Sequence, residues 1–295
     1  MAQIKANGIT LEYEDYGDES APPILLIMGL GAQLTLWPME LVEALTGRGF
    51  RVIRYDNRDI GLSEKFDSAG VPSIPVTVLK ARFGFRPRVP YTLSDMAADA
   101  VGLLDALDIP QAHIVGASMG GMIAQLVAVE HGKRTASLTS IMSTTGHRRL
   151  PQAEKEALAA LTTRPKNMEM ANILAHGKRL SRAIGSPAYP VAEDRLEQNI
   201  RANFGRSFHP QGLPRQLAAI LADGDRRKRL SQVKAPTLVL HGEADPLVKV
   251  EAGRDTAAHI QGAELKVIPG MGHDLPVELV DEIADAIANH ARKAA

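Results

Sequence analysis

The sequence predicts an α/β architecture: a mostly parallel sheet flanked by helices, with a helical segment inserted between two of the strands. Three observations predict it. Short apolar runs without strict alternation recur along the 295 residues, separated by helical patterns, as expected for strands buried on both faces of a parallel sheet. One such run, His113-Ile114-Val115, enters Gly116-Ala117-Ser118-Met119-Gly120, and an apolar helical pattern leaves it. That is a strand-to-helix turn sharp enough to present a serine at its tip. Finally, between about Gly146 and Gln232 the strands stop and helical periodicity takes over.

Each element has its own signal. Residues 9–16 alternate apolar and polar positions and read as an antiparallel edge strand with one wet face. Residues 23–28, 51–55 and 112–115 read as buried strands, and residues 138–142, 237–240 and 265–268 complete the sheet. Met96, Ala100, Val101, Leu104 and Leu107 fall at helical spacing, with Ser94 as the N-cap. Residues 119–131 form a second helix, closed by Gly132. Residues 277–290 form the last.

The insert carries Leu196, Ile200 and Phe204, then Leu213, Leu217, Ile220 and Leu221, at helical spacing. It holds 16 Lys and Arg against 8 Asp and Glu, while the whole chain is neutral. It reads as a cap domain over residues 146–232, set on a core domain of residues 1–145 and 233–295. Ligands in such sheets bind at the C-terminal strand edge. Deletion of the cap is expected to change specificity more than core folding.

Composition excludes several functions. Lys and Arg total 34, as do Asp and Glu, so no global basic field points to nucleic acid. Cysteine is absent, which removes disulfides, thiolate metal sites and cysteine nucleophiles, and fits a reducing cytoplasm. The first residues lack an apolar signal-peptide region. The longest apolar stretch, residues 24–36, is broken by Gly29 and Gly31 and is too short to span a membrane. The sequence does not fix an oligomeric state.

Serine is a weak nucleophile until a base takes its proton, and the base needs a group that holds its tautomer. In this architecture the order along the chain is Ser, then acid, then His. Ser118 is followed by Asp245, on the loop leaving strand 237–240, and by His273, on the Gly-flanked loop after the last strand. All three fall on one rim of the sheet. Glu243 and Asp255 are alternatives for the acid, and Asp274 adjoins His273 too closely in sequence to bond its Nδ1. Of the nine histidines, His113 and His241 read as packed structural residues. His131, His147, His176, His209, His259 and His290 read as solvated or capping ones. Residues 56–63 read as a self-bonded turn shaping the rim. Arg226-Arg227-Lys228-Arg229 reads as a solvated helix face.

Four stretches carry a family resemblance. They are Ile27-Met28-Gly29-Leu30-Gly31, Tyr55-Asp56-Asn57-Arg58-Asp59-Ile60-Gly61-Leu62-Ser63, the serine turn, and the paired Asp245 and His273 loops. With them the chain resembles the α/β-hydrolase-fold serine hydrolases, and is similar to the aclacinomycin methylesterase-like and enol-lactonase-like esterases. The resemblance implies Ser118 as nucleophile, Asp245 as acid and His273 as base. An oxyanion hole needs two backbone N–H donors. Met119 supplies one, and Leu30, with Gly29 as the alternative, supplies the other. The commoner His-Gly pattern at this loop is replaced by Met28-Gly29.

The expected activity is a serine carboxylic-ester hydrolase acting on small-to-medium esters, with no metal or organic cofactor. Lactonases, carbon–carbon bond hydrolases and perhydrolases share the same residues, because fold and triad do not choose among them. A ligand receptor of this fold is the non-enzymatic alternative.

Overall fold

The computed structural model describes residues 1–83, 85 and 87–294. Its sheet has eight strands. Asn7 and Gly8 both take positive φ, 49° and 79°, and turn the chain between β1 (Ala2–Ala6) and β2 (Ile9–Tyr16). The edge position expected for residues 9–16 therefore belongs to β1, and the Asn-Gly pair is the signal for that hairpin. The remaining strands are β3 (Pro23–Ile27), β4 (Arg51–Tyr55), β5 (Ala112–Ala117), β6 (Thr135–Ile141), β7 (Thr237–Gly242) and β8 (Glu264–Ile268). Their spatial order is β1-β2-β4-β3-β5-β6-β7-β8. β2 runs antiparallel to both its neighbours, and every pair from β4 to β8 is parallel.

Both faces are covered, which is why the strands read as continuous apolar runs. Leu25 and Ile27 of β3 point into one core with Ile53 and Ile114, while Ile24 and Leu26 point into the other with Val52 and Val115. On the chain's helices, α1 (Met39–Gly47) covers the second core and α2 (Ile74–Arg82) stays largely exposed. α3 (Leu93–Ala106) and α4 (Met119–Glu130) cover the first core. α3 begins earlier than its apolar spacing suggests. Thr92 rather than Ser94 caps it, in a reciprocal box with Asp95, which satisfies two otherwise orphaned N–H groups.

The insert between β6 and β7 is helical, as expected. It holds α5 (Lys155–Thr162), α6 (Met170–Ile184), α7 (Glu193–Arg206), α8 (Gly212–Asp223) and the short α9 (Arg227–Leu230). α10 (Val250–Ala258) follows β7, and α11 (Val280–Ala294) ends the chain after a 3₁₀ turn at Val277–Leu279. α11 runs past His290, which is buried and bonded through Nε2 to the Pro236 carbonyl (3.1 Å) rather than solvated. Among the described residues no helix is long and apolar enough to cross a membrane.

The insert is joined to the sheet by arginines that pair with two buried carboxylates. Arg206 Nη1 donates to Asp56 Oδ2 (2.7 Å), and Arg215 Nε donates to Asp59 Oδ2 (2.7 Å). Arg226 is buried as well and donates to Gln125 Oε1 of α4 (3.1 Å) and to the Thr144 carbonyl (2.6 Å). The basic run 226–229 is thus solvated in part only. Asp223, at the end of α8, neutralises Arg226, as a buried guanidinium requires.

Candidate active site

Ser118 stands at the junction of β5 and α4 with φ 56° and ψ −119°. A non-glycine residue rarely adopts that region, at a cost of about 1–3 kcal/mol, and the surrounding backbone enforces it. Ser118 N–H donates to the Ile141 carbonyl (2.9 Å), and Ser143 Oγ–H donates to the Ser118 carbonyl (2.8 Å). The flanking glycines are set by close approach. A Cβ on Gly116 would lie 2.1 Å from the Gly120 carbonyl oxygen, and one on Gly120 would lie 1.9 Å from the Ile27 carbonyl oxygen.

His273 lies on the loop after β8, with Nε2 3.0 Å from Ser118 Oγ. Its Nδ1 is 2.7 Å from Asp245 Oδ2. A carboxylate only accepts, so Nδ1 carries the proton and Nε2 is free to accept from the serine hydroxyl. Asp245 is held by its own loop, since Oδ1 accepts from Leu247 N–H and Val248 N–H, both at 2.8 Å. Asp245 is 1% exposed and His273 9%. The pair is shielded from solvent, and the serine side of the ring meets the site.

The loop after β3 reaches the serine. A Cβ on Gly29 would lie 3.1 Å from Ser118 Cβ and 3.6 Å from its Oγ. Among the described residues, the N–H groups of Leu30 and Met119 have no hydrogen-bond acceptor, nor does that of Gly29. Met119 N–H also opens α4, where the helix dipole favours negative charge. Gly31 N–H is already taken, by Gln216 Oε1 of α8 (2.9 Å).

The alternatives lie elsewhere. Asp255 accepts from Thr145 Oγ1 (2.6 Å), and Asp274 bonds Ser186 Oγ. His113 is packed in β5, Nδ1 against Ser137 Oγ (2.9 Å), and burial lowers its pKa to about 4. His241 Nε2 donates to the Val248 carbonyl (2.7 Å), and burial holds that imidazole below its ordinary value. His209 sits at the insert's junction with the sheet, Nε2 2.9 Å from Arg215 Nη2 and 3.2 Å from Asp67 Oδ1.

Residues 56–63 are self-bonded as expected: Asp56 Oδ2 accepts from Leu62 N–H (2.8 Å), and Ser63 Oγ–H donates to the Asp56 carbonyl (2.6 Å). They do more. Asp56 Oδ1 accepts from Leu34 N–H (2.7 Å), fixing the chain that follows the Gly29–Gly31 turn, and Asn57 Nδ2 donates to the Met28 carbonyl (2.8 Å). The contacts on the far side of His273 come from the end of α6 and the α6–α7 connector, and they carry no local mark in the sequence.

A family model described as alpha/beta hydrolase fold matches residues 22–278. Rhodomycin D methylesterase DauP of Streptomyces sp. (strain C5) is 28% identical, over 99% of this chain and 98% of its own. 3-Oxoadipate enol-lactonase 1 of Acinetobacter baylyi is 27% identical, over 88% of this chain and 85% of its own. Among solved structures, the enol-lactonase from Burkholderia xenovorans LB400 superposes with a TM-score of 0.72 at 26% identity, over 99% of each chain.

Proposed function

The chain belongs to the alpha/beta hydrolase fold family, and on that footing we propose that it is a serine carboxylic-ester hydrolase with Ser118, His273 and Asp245 as its catalytic triad. The observation that carries this is the relay of two contacts: Ser118 Oγ to His273 Nε2 at 3.0 Å, and His273 Nδ1 to Asp245 Oδ2 at 2.7 Å. Full-length similarity to a methylesterase supports the ester class.

Ser118 Oγ attacks the ester carbonyl carbon as His273 Nε2 takes its proton. Asp245 stabilises the imidazolium that results. The oxyanion accepts hydrogen bonds from the N–H groups of Met119 and Leu30. Collapse expels the alcohol, protonated by His273, and leaves an acyl-Ser118. Water, deprotonated by His273, then releases the acid and the serine. No step in this cycle calls for a metal or an organic cofactor. A lactone is an internal ester and runs through the same steps, which favours lactonase as the second reading, in keeping with the enol-lactonase relative. Residues 146–232 act as the cap domain that shapes the acyl and alcohol sites above the core of residues 1–145 and 233–295. The cysteine-free sequence supports action in the cytoplasm.

Steady-state hydrolysis of p-nitrophenyl esters of increasing acyl length, with Ser118→Ala alongside, tests the reading. Serine-dependent turnover is expected, with an optimum length that sizes the acyl site. Equal rates for the two proteins would refute it.

A further inference from the structure

The loop that carries His273 is tied on one side to Asp245 and on the other to the insert. His273 N–H donates to the Ile184 carbonyl at the end of α6 (2.7 Å). Gly272 N–H donates to Ser186 Oγ (2.8 Å), and that hydroxyl donates in turn to Asp274 Oδ1. Two consecutive backbone amides are therefore held by the insert, that of His273 by the last residue of α6 and that of Gly272 by the α6–α7 connector. The two backbones meet closely, since a Cβ on Gly272 would lie 2.4 Å from the Gly185 carbonyl oxygen. Ser186 is buried, and its single proton and an acceptor site are both in use.

On the reading that His273 is the base, we propose that Ser186 and Asp274 are positioning residues: through them the α6–α7 connector sets the reach of His273 Nε2 to Ser118. The seating of the insert and the alignment of the base are then one equilibrium. The effect falls on the rate of the chemical step, because general-base transfer depends on a hydrogen bond of 3.0 Å that a small displacement of the loop lengthens. Burial pushes the Asp274 carboxyl up from the usual carboxylate range, against the Ser186 hydrogen bonds that pull it down. Its role is to accept from Ser186, which an amide oxygen can also do.

The test compares wild type, Ser186→Ala, Asp274→Ala, Asp274→Asn and the double alanine variant. The readouts are p-nitrophenyl ester turnover and the rate at which a fluorophosphonate probe labels Ser118. Ser186→Ala and Asp274→Ala should each lower kcat about tenfold, with KM within about twofold and a matching loss in labelling rate. Asp274→Asn should stay within about twofold of wild type, because its oxygen still accepts from Ser186. The double variant should be no worse than the poorer single variant, since both break one linkage. An unchanged kcat, a rise in KM alone, or losses that multiply in the double variant would each overturn the inference. Should Ser186→Ala not fold, the Asp274→Ala and Asp274→Asn pair decides by the same criterion. An inert wild type would overturn the ester-hydrolase reading and this inference with it, whereas an active wild type with an unaffected Ser186→Ala overturns this inference alone.

Discussion

Arg215 of α8 forks onto Asp59 in the loop after β4, with Nε 2.7 Å from Oδ2 and Nη2 2.8 Å from Oδ1. Both side chains are buried, and Tyr91 Oη–H donates to the same carboxylate (2.6 Å). Arg206 makes the parallel link to Asp56. Removing one partner of such a pair leaves an uncompensated charge. Arg215→Ala is expected to lower stability by about 3–5 kcal/mol, read as a shift in the urea midpoint at constant m. By the same reasoning, excising residues 146–232 strands Asp56 and Asp59 without their arginines, so the core loses stability as well as specificity. A core of residues 1–145 and 233–295 that unfolds at the midpoint of the whole chain would contradict this.

Ser118→Ala should lower ester turnover by at least about four orders of magnitude while leaving the melting temperature nearly unchanged. Asp245→Asn should cost about as much for a different reason. Its amide would donate toward Nδ1 and force the imidazole proton onto Nε2, where it blocks acceptance from Ser118. Near-wild-type kcat in either variant would refute the triad.

Gly120→Ala places a methyl where the Ile27 carbonyl oxygen stands 1.9 Å away. Neither partner is a flexible side-chain end, so β3 and α4 must separate. A loss of about 2–4 kcal/mol or failure to fold is expected, in the range of backbone strain and overpacking. Gly47→Ala, at the end of α1 where a Cβ meets nothing within 4 Å, is the control that should leave the unfolding midpoint unchanged or raise it slightly.

His113 links stability to pH. Burial first, and the charge of His290 second, lower its pKa from 6.5 to about 4. The unfolded chain therefore takes up this proton before the folded one. The stability contributed is fully present above about pH 6.5 and is lost as the pH falls toward 4, amounting to about 2 kcal/mol between pH 7.5 and 5. His113→Asn should show a shallower fall over that interval, measured by denaturant unfolding at each pH. An identical slope would rule out the residue as the source.

The order of strands and helices was legible because period and apolarity are local properties. Residues 112–115 read as a buried strand on apolarity alone, and Gly116 and Gly120 announce the tight turn into which β5 extends. The N-cap of α3 lies two residues before the one its sequence suggests, since Ser94 and Thr92 are both competent caps and only the reciprocal bond with Asp95 separates them. The hairpin at Asn7-Gly8 adds β1 outside the strand over residues 9–16, and its signal is local. Ser118, Asp245 and His273 could be picked out because each sits at a strand end with a recognisable loop, and parallel strands bring their C-terminal ends to one rim.

What the sequence by itself determined, then, is the layered architecture, the helical nature of the insert and the identities of three residues on one rim. Tertiary structure decided the rest: that two arginines of the insert pair with the buried Asp56 and Asp59, that Arg226 is buried beside Gln125, and that Ser186 clasps the His273 loop. These pairs lie 88 to 156 residues apart along the chain. A charged or hydroxyl side chain carries no local mark of burial, because whether it meets solvent or a partner depends on which distant segment the fold lays against it.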